Sequence, residues 1–216
     1  MKESLEKKKI RANQIYKVFE QVYKGADCTL DYENALQLLI ATQLAAQCTD
    51  ARVNMVTPAL FKKYPDVYAF ANADELELRE DIRSTGFFRN KAKNIIGCCK
   101  MLIEEFDGEV PKTMEELLKL PGVGRKTANL IVGDVYKKPA VVADTHVIRI
   151  TNLLGLVNSK DPKVVEMELK KILPPDESND FCHRIVLHGR KICIARRPKC
   201  DECILSNICK YKKDKK

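Results

Sequence analysis

Apolar residues recur along this chain at helical spacing. Ile15, Val18, Phe19 and Val22 fall at i, i+3, i+4 and i+7, and Leu36, Leu39, Ile40 and Gln43 or Leu44 repeat the pattern. Ile95, Ile96, Cys99, Leu102 and Ile103 form a third stripe. Thr113 with Glu116 three residues later reads as a capping box, and Asp161 followed by Pro162 reads as a helix start. Only Ala140-Val-Val-Ala has strand character, and no segment of similar kind could pair with it. The pattern predicts an all-α protein of about ten helices joined by short loops.

Composition narrows the class. A chain of 216 residues, 45% hydrophobic and 31% charged, can form one large or two small globular domains. Nine glycines and 6% aromatic residues weigh against a turn-rich β-sandwich. The longest apolar stretch, Ala35 to Ala46, is interrupted by Gln37, Thr42 and Gln43, too short and too broken to span a bilayer. The basic start MKESLEKKKIR is not followed by an apolar signal core. The expectation is a soluble cytoplasmic protein, monomeric and without a membrane partner.

Charge is placed unevenly. Cys182 to Lys216 holds 11 Lys or Arg against 3 Asp or Glu, which accounts for the whole formal charge of +8. A basic end on a neutral body suits a polyanionic partner. The tail KYKKDKK reads most simply as a solvated end. Arg190, Lys191, Arg196, Arg197 and Lys199, however, lie between or beside cysteines, where the backbone is expected to be held.

The nine cysteines divide into two groups. Cys28, Cys48, Cys98, Cys99 and Cys182 sit in apolar or helical contexts and read as small core residues. Cys193, Cys200, Cys203 and Cys209 crowd into 17 residues, spaced x6, x2 and x5. Four thiolates so close suit one metal centre. Zinc sites usually show two short CxxC pairs where this chain has one, and iron–sulfur spacings are more varied. Spacing alone leaves both open.

The most informative turn is Leu120-Pro-Gly-Val-Gly-Arg-Lys-Thr-Ala128, between a capped helix from Thr113 and a second helix expected over about Arg125 to Tyr136. Gly122 and Gly124 suggest backbone angles closed to side chains and close approach by another molecule. Their amides, with Arg125 at the next helix start, suit a phosphate contact without sequence reading. Lys126 stands beside Arg125, where an amine can bind phosphate or attack a sugar carbon. Asp144, before Thr145-His-Val-Ile-Arg, reads first as a helix N-cap.

The string LPGVGRKTA resembles the helix-hairpin-helix of the DNA glycosylase superfamily, and most of all its endonuclease III branch. LAAQCTD at 44–50, GFFRNKAKNI at 86–95, VADTHV at 142–147, LHGR at 187–190 and the cysteine cluster extend the resemblance from about Tyr32 to Cys209. It implies two helical domains with a DNA cleft between them: a six-helix domain over 28–138 carrying the hairpin, and residues 1–27 with 139–216 carrying the cluster. It further implies Lys126 as the Schiff-base nucleophile, Asp144 as the anion that offsets positive charge at the sugar, and a [4Fe–4S] cluster on Cys193, Cys200, Cys203 and Cys209.

By the same resemblance, Gln47 and Phe87 match the positions that enter damaged double-stranded DNA, with Phe88 as the neighbouring aromatic. His146 and Arg149 would contact DNA near the pocket, and Arg196, Arg197 and Lys199 its phosphates. The implied activity is base excision repair: release of oxidised pyrimidines, followed by strand cleavage 3′ to the abasic site. A mismatch or purine glycosylase of the same fold, or a non-catalytic DNA-binding module ordered by its metal, are the competing readings.

Overall fold

The computed structural model describes residues 3–214, so the first two and last two residues, including the end of the basic tail, lie outside the described residues. Helices follow in the order α1 (Leu5–Val22), α2 (Ala35–Leu44), α3 (Asp50–Lys63), α4 (Val67–Ala71), α5 (Glu75–Asp81), α6 (Phe88–Phe106), α7 (Met114–Leu117), α8 (Arg125–Leu130), α9 (Thr145–Leu153), α10 (Pro162–Lys170), α11 (Ser178–Lys191) and α12 (Lys210–Asp214). The described residues contain no strand. Ala140, Val141 and Val142 run irregularly and are buried. Two compact units result: Cys28–Lys137, and the segment up to Asp27 together with the segment from Lys138 onward.

In the Cys28–Lys137 unit, α2 is buried on nearly every side, through Leu38, Leu39, Ile40, Ala41, Gln43 and Leu44. A helix apolar all round belongs in the middle of a unit, and α3, α6 and α8 pack around it. α6 buries one stripe, Ala92, Ile95, Cys98, Cys99 and Leu102, in which Lys91 also falls. Removing a core side chain such as Leu102, fully buried, costs about 2–5 kcal/mol in comparable cores.

Thr113 caps α7 as expected: the Glu116 amide donates to its Oγ1 at 3.3 Å, and its hydroxyl donates to the Glu116 carboxylate at 2.6 Å. α7 itself lasts only four residues before turns carry the chain to Leu120. The helix expected to run on to Tyr136 stays α-helical only to Leu130. It then widens into a π turn over Ile131–Val135, which holds the buried Asp134.

In the other unit, α1 and α9 both pack on α11. α1 buries Ala12, Ile15, Tyr16 and Phe19, and Phe19 meets the rings of Phe181 and His188. Val22, expected on that stripe, is exposed, and the next residue, Tyr23, is buried instead. The chain leaves α1 at Tyr23, whose ring packs on Phe19 and His188. Arg11 donates to the carbonyls of Leu154 and Gly155, which satisfies acceptors beyond the end of α9.

Cys98, Cys99 and Cys182 are buried core residues, and burial pushes the Cys98 thiol up to about 12, which makes it unreactive. Cys28 and Cys48 are only half-buried, a departure from the core expectation, because both lie in loops.

Candidate active site and cluster loop

The hairpin turns on Gly122, which sits at φ 77 and packs tightly. A Cβ there would lie 2.6 Å from Gln43 Oε1 and 2.9 Å from the Asn94 Cβ. Val123 is buried beneath the turn, closed by its amide donating to the Leu120 carbonyl. Gly124 is different. Its φ is −97, which any residue can adopt, and a Cβ there would meet nothing within 4 Å. The backbone angle closed to side chains, expected of both glycines, is found at Gly122 alone. Gly124 is the N-cap of α8 and offers no capping side chain. Lys126, in this first turn, is exposed.

Asp144 is half-buried, and its Oδ1 accepts the Val147 amide hydrogen at 2.7 Å, capping α9. His146 and Arg149 follow on one face of α9. His146 lies over Gly189, where a Cβ would come within 2.5 Å of its Nδ1. Arg149 turns toward the cysteine loop, with Nη1 3.6 Å from Cys193 Sγ.

Gln47 and Phe87 are each exposed and each left-handed, with φ 54 and 49. A non-glycine residue held there costs of order 1–3 kcal/mol and persists only where the surroundings fix it. Phe88 is half-buried, with the Arg83 and Arg89 guanidinium groups near its ring, so Phe87 is the aromatic at the tip. Both tips border a cavity of about 210 Å³ floored by Gln43, Asn94 and Gly122. The Gln43 amide is buried there, with neither its oxygen nor its nitrogen in an ordinary hydrogen bond; the Cys98 thiol beside it is a weak partner. Sequence reasoning missed Gln43 and Lys91. Their signal was a polar residue in phase with a buried stripe.

Cys193, Cys200, Cys203 and Cys209 are half-buried, free of disulfides, and line one apolar cavity with Ile150 and Leu205. Burial pushes the Cys193 and Cys203 thiols up, and N–H groups oppose this: Arg149 at Cys193, the Leu205 amide at Cys203. Donors aimed at sulfur suit thiolates bound to a metal. His188, held neutral at about 4 by burial and then by Arg149, places Nε2 3.6 Å from Cys203 Sγ, while its Nδ1 meets the Tyr23 hydroxyl at 2.9 Å. No three of the four sulfurs lie within 4.8 Å of one another. A tetrahedral zinc ion, with Zn–S near 2.3 Å, would draw its sulfurs to roughly 3.8 Å apart. The wider spread fits a larger iron–sulfur cluster. Between the first two cysteines, Arg196, Arg197 and Lys199 are exposed, and Lys199 pairs loosely with Glu202 at 3.9 Å.

Residues 40–175 match the HhH-GPD superfamily of base excision DNA repair proteins, and residues 193–209 match the iron–sulfur binding domain of endonuclease III. The chain is 53% identical to an endonuclease III of Synechocystis sp., over 94% of this chain and 93% of that one. Among solved structures, a non-covalent endonuclease III–DNA complex superposes with a TM-score of 0.90 at 42% identity, covering 96% of this chain and 97% of that one. A trapped endonuclease III–DNA covalent intermediate superposes with a TM-score of 0.88 at 43% identity, covering 94% and 98%. The cofactor is a [4Fe–4S] cluster carried by the C-terminal cysteine domain. An all-helical hairpin protein with this cysteine domain, matched along nearly its whole length, belongs to the endonuclease III family of HhH-GPD base excision DNA repair enzymes.

Proposed function

We propose that this enzyme removes oxidised pyrimidines from duplex DNA and then cuts the strand 3′ to the abasic site, with Lys126 as nucleophile and Asp144 as the anion that offsets positive charge at the sugar. The observation that carries the reading is Lys126 itself, an exposed amine in the first turn of α8 directly after the Gly-Val-Gly turn.

The N-glycosidic bond breaks and its electron pair leaves with the base, which takes up a proton. Positive charge spreads over C1′ and the ring oxygen, and the Asp144 carboxylate offsets it. The Lys126 nitrogen bonds to C1′ through its lone pair and loses a proton. The ring oxygen then takes up a proton and leaves C1′ with the bond pair, which opens the sugar to a protonated imine. That imine acidifies the C2′ hydrogen. A base removes it, and the C3′–O bond breaks with its electrons on the departing phosphate. Water then hydrolyses the imine and frees Lys126.

The tips Gln47 and Phe87 fill the space vacated when the target nucleotide leaves the stack. Gly122, Gly124 and Arg125 take a backbone phosphate through the hairpin amides. His146 contacts DNA beside the site, and Arg149 does so through N–H groups not directed at Cys193. Cys193, Cys200, Cys203 and Cys209 hold the cluster. When bound, it fixes the loop that presents Arg196, Arg197 and Lys199 to phosphates; the steps above need no electron from it. The proposed organisation is a hairpin domain over 28–138 and a cluster domain over 1–27 with 139–216. The enzyme works as a cytoplasmic, nucleoid-associated monomer. Among the described residues no helix is long and apolar enough to cross a membrane.

Borohydride trapping on duplexes containing thymine glycol or an abasic site tests the reading. The expected product is an adduct on Lys126 from both substrates, absent in Lys126→Ala. Base release without any adduct would overturn the lyase assignment.

A further inference from the structure

We infer that Lys91 is a positioning residue that pins the two loop tips, Gln47 and Phe87, to one another through a single buried ammonium group. The inference rests on the reading of those tips as the parts that enter the duplex.

Lys91 Nζ donates to the Leu44 carbonyl at 2.7 Å and to the Thr85 carbonyl at 2.8 Å. Leu44 is the last residue of α2, three before Gln47, and Thr85 stands two before Phe87. Both carbonyls belong to segments that are leaving regular structure, so each needs a donor from elsewhere. The Lys91 backbone adds a third tie, its amide donating to the Phe87 carbonyl at 3.1 Å. One residue therefore holds the chain at the base of each strained tip.

Stability alone does not account for a lysine here. The residue is 5% exposed and lies in phase with Ala92, Ile95, Cys98 and Leu102 on the core face of α6. Burial lowers the pKa of its amine, opposed only by the Cys48 thiol, with no carboxylate contributing. Burying a cation that no anion pairs is unfavourable, and an apolar side chain would pack there at lower cost. An apolar side chain could not, however, hold two carbonyls from separate segments. The ammonium trades stability for a fixed spacing between Gln47 and Phe87, which also sets the width of the cavity they border.

The test uses the cluster-loaded enzyme and the variants Lys91→Met, Lys91→Gln, Phe87→Ala and Gln47→Ala. Base removal from a duplex is measured with a 2-aminopurine reporter beside the lesion, and strand cutting is measured on a single-stranded abasic oligonucleotide. A single strand has no stack to open, so it does not need the tips. Lys91→Met is expected to lower the single-turnover rate on the duplex at least tenfold, of the order a misplaced group produces, and to reduce the unstacking signal. Single-strand cutting should stay within about twofold.

The Lys91→Met Phe87→Ala double variant should lose little more than either single one, because both act on the same step. Lys91→Gln, which keeps an N–H donor, should fall between. Normal duplex activity in Lys91→Met overturns the inference, and so does equal loss on both substrates. If Lys91→Met does not fold, a Lys91→Gln protein with normal duplex kinetics overturns it. Unimpaired Phe87→Ala and Gln47→Ala would instead overturn the reading of the tips, a result distinct from impaired tip variants beside a normal Lys91→Met.

Discussion

The Asp144 carboxylate accepts the Val147 amide hydrogen at 2.7 Å, so the side chain that begins α9 is also fixed in direction by it. In the proposed reaction, capping and charge stabilisation use the same carboxylate. The cap fixes the direction of the carboxylate before any substrate arrives, which is the preorganisation the proposed role requires.

Asparagine caps a helix about as well as aspartate but carries no charge. Asp144→Asn should therefore melt within a few tenths of a kcal/mol of the parent and release base at least roughly a hundredfold more slowly. Asp144→Ala should lose about 1 kcal/mol of stability as well. Thermal melting and single-turnover base release, measured on the same preparations, separate the two effects. Equal rates for Asp144→Asn and the parent would remove Asp144 from the chemistry.

The two hairpin glycines should respond differently to alanine. Gly122→Ala combines a left-handed φ with contact against Gln43 and Asn94, and should destabilise the protein by about 1–3 kcal/mol. Gly124→Ala meets no atom and no strain, so its stability should change by less than about 0.5 kcal/mol. If a phosphate approaches that backbone, Gly124→Ala should nevertheless weaken duplex binding. Denaturant melts beside fluorescence anisotropy titrations would show whether the glycine serves the fold or the ligand.

Arg196 and Arg197 are exposed on the cysteine loop. Replacing both with alanine should leave the melting temperature unchanged and flatten the plot of log affinity against log salt. Each lost phosphate contact removes about 0.9 from that slope. An unchanged slope would mean that the loop does not touch DNA.

Cys209→Ala should abolish the visible iron–sulfur absorbance and loosen the loop from Cys193 onward, with most of the helical circular dichroism retained. The reason is the scarcity of regular structure over 192–209, which turns and a few backbone bonds alone connect. Protease cleavage near Arg196 and Arg197 is expected to accelerate in that variant. A variant that keeps its absorbance would show that Cys209 is not a ligand.

Local chemistry made part of this protein legible in one dimension. Thr113, Asp144 and Asp161 announced helix starts, because a cap bonds an amide only three residues away. The hairpin string and the four clustered cysteines pointed to family and cofactor, because they are short segments whose chemistry depends on adjacent residues. Side-chain direction was not legible in the same way. Whether Val22 or Tyr23 closes the face of α1 depends on Phe181 and His188, more than 150 positions away. Arg149 read as a DNA contact and also reaches Cys193, 44 residues on. Lys91 was not singled out by the sequence, and its partners lie in α2 and in the turn before Phe87. Sequence by itself determined where several helices begin, which family the chain joins and which residues are candidates for the chemistry. Only the tertiary structure decided which of those side chains are buried, strained or aimed at one another, because burial and aim are set by partners far along the chain.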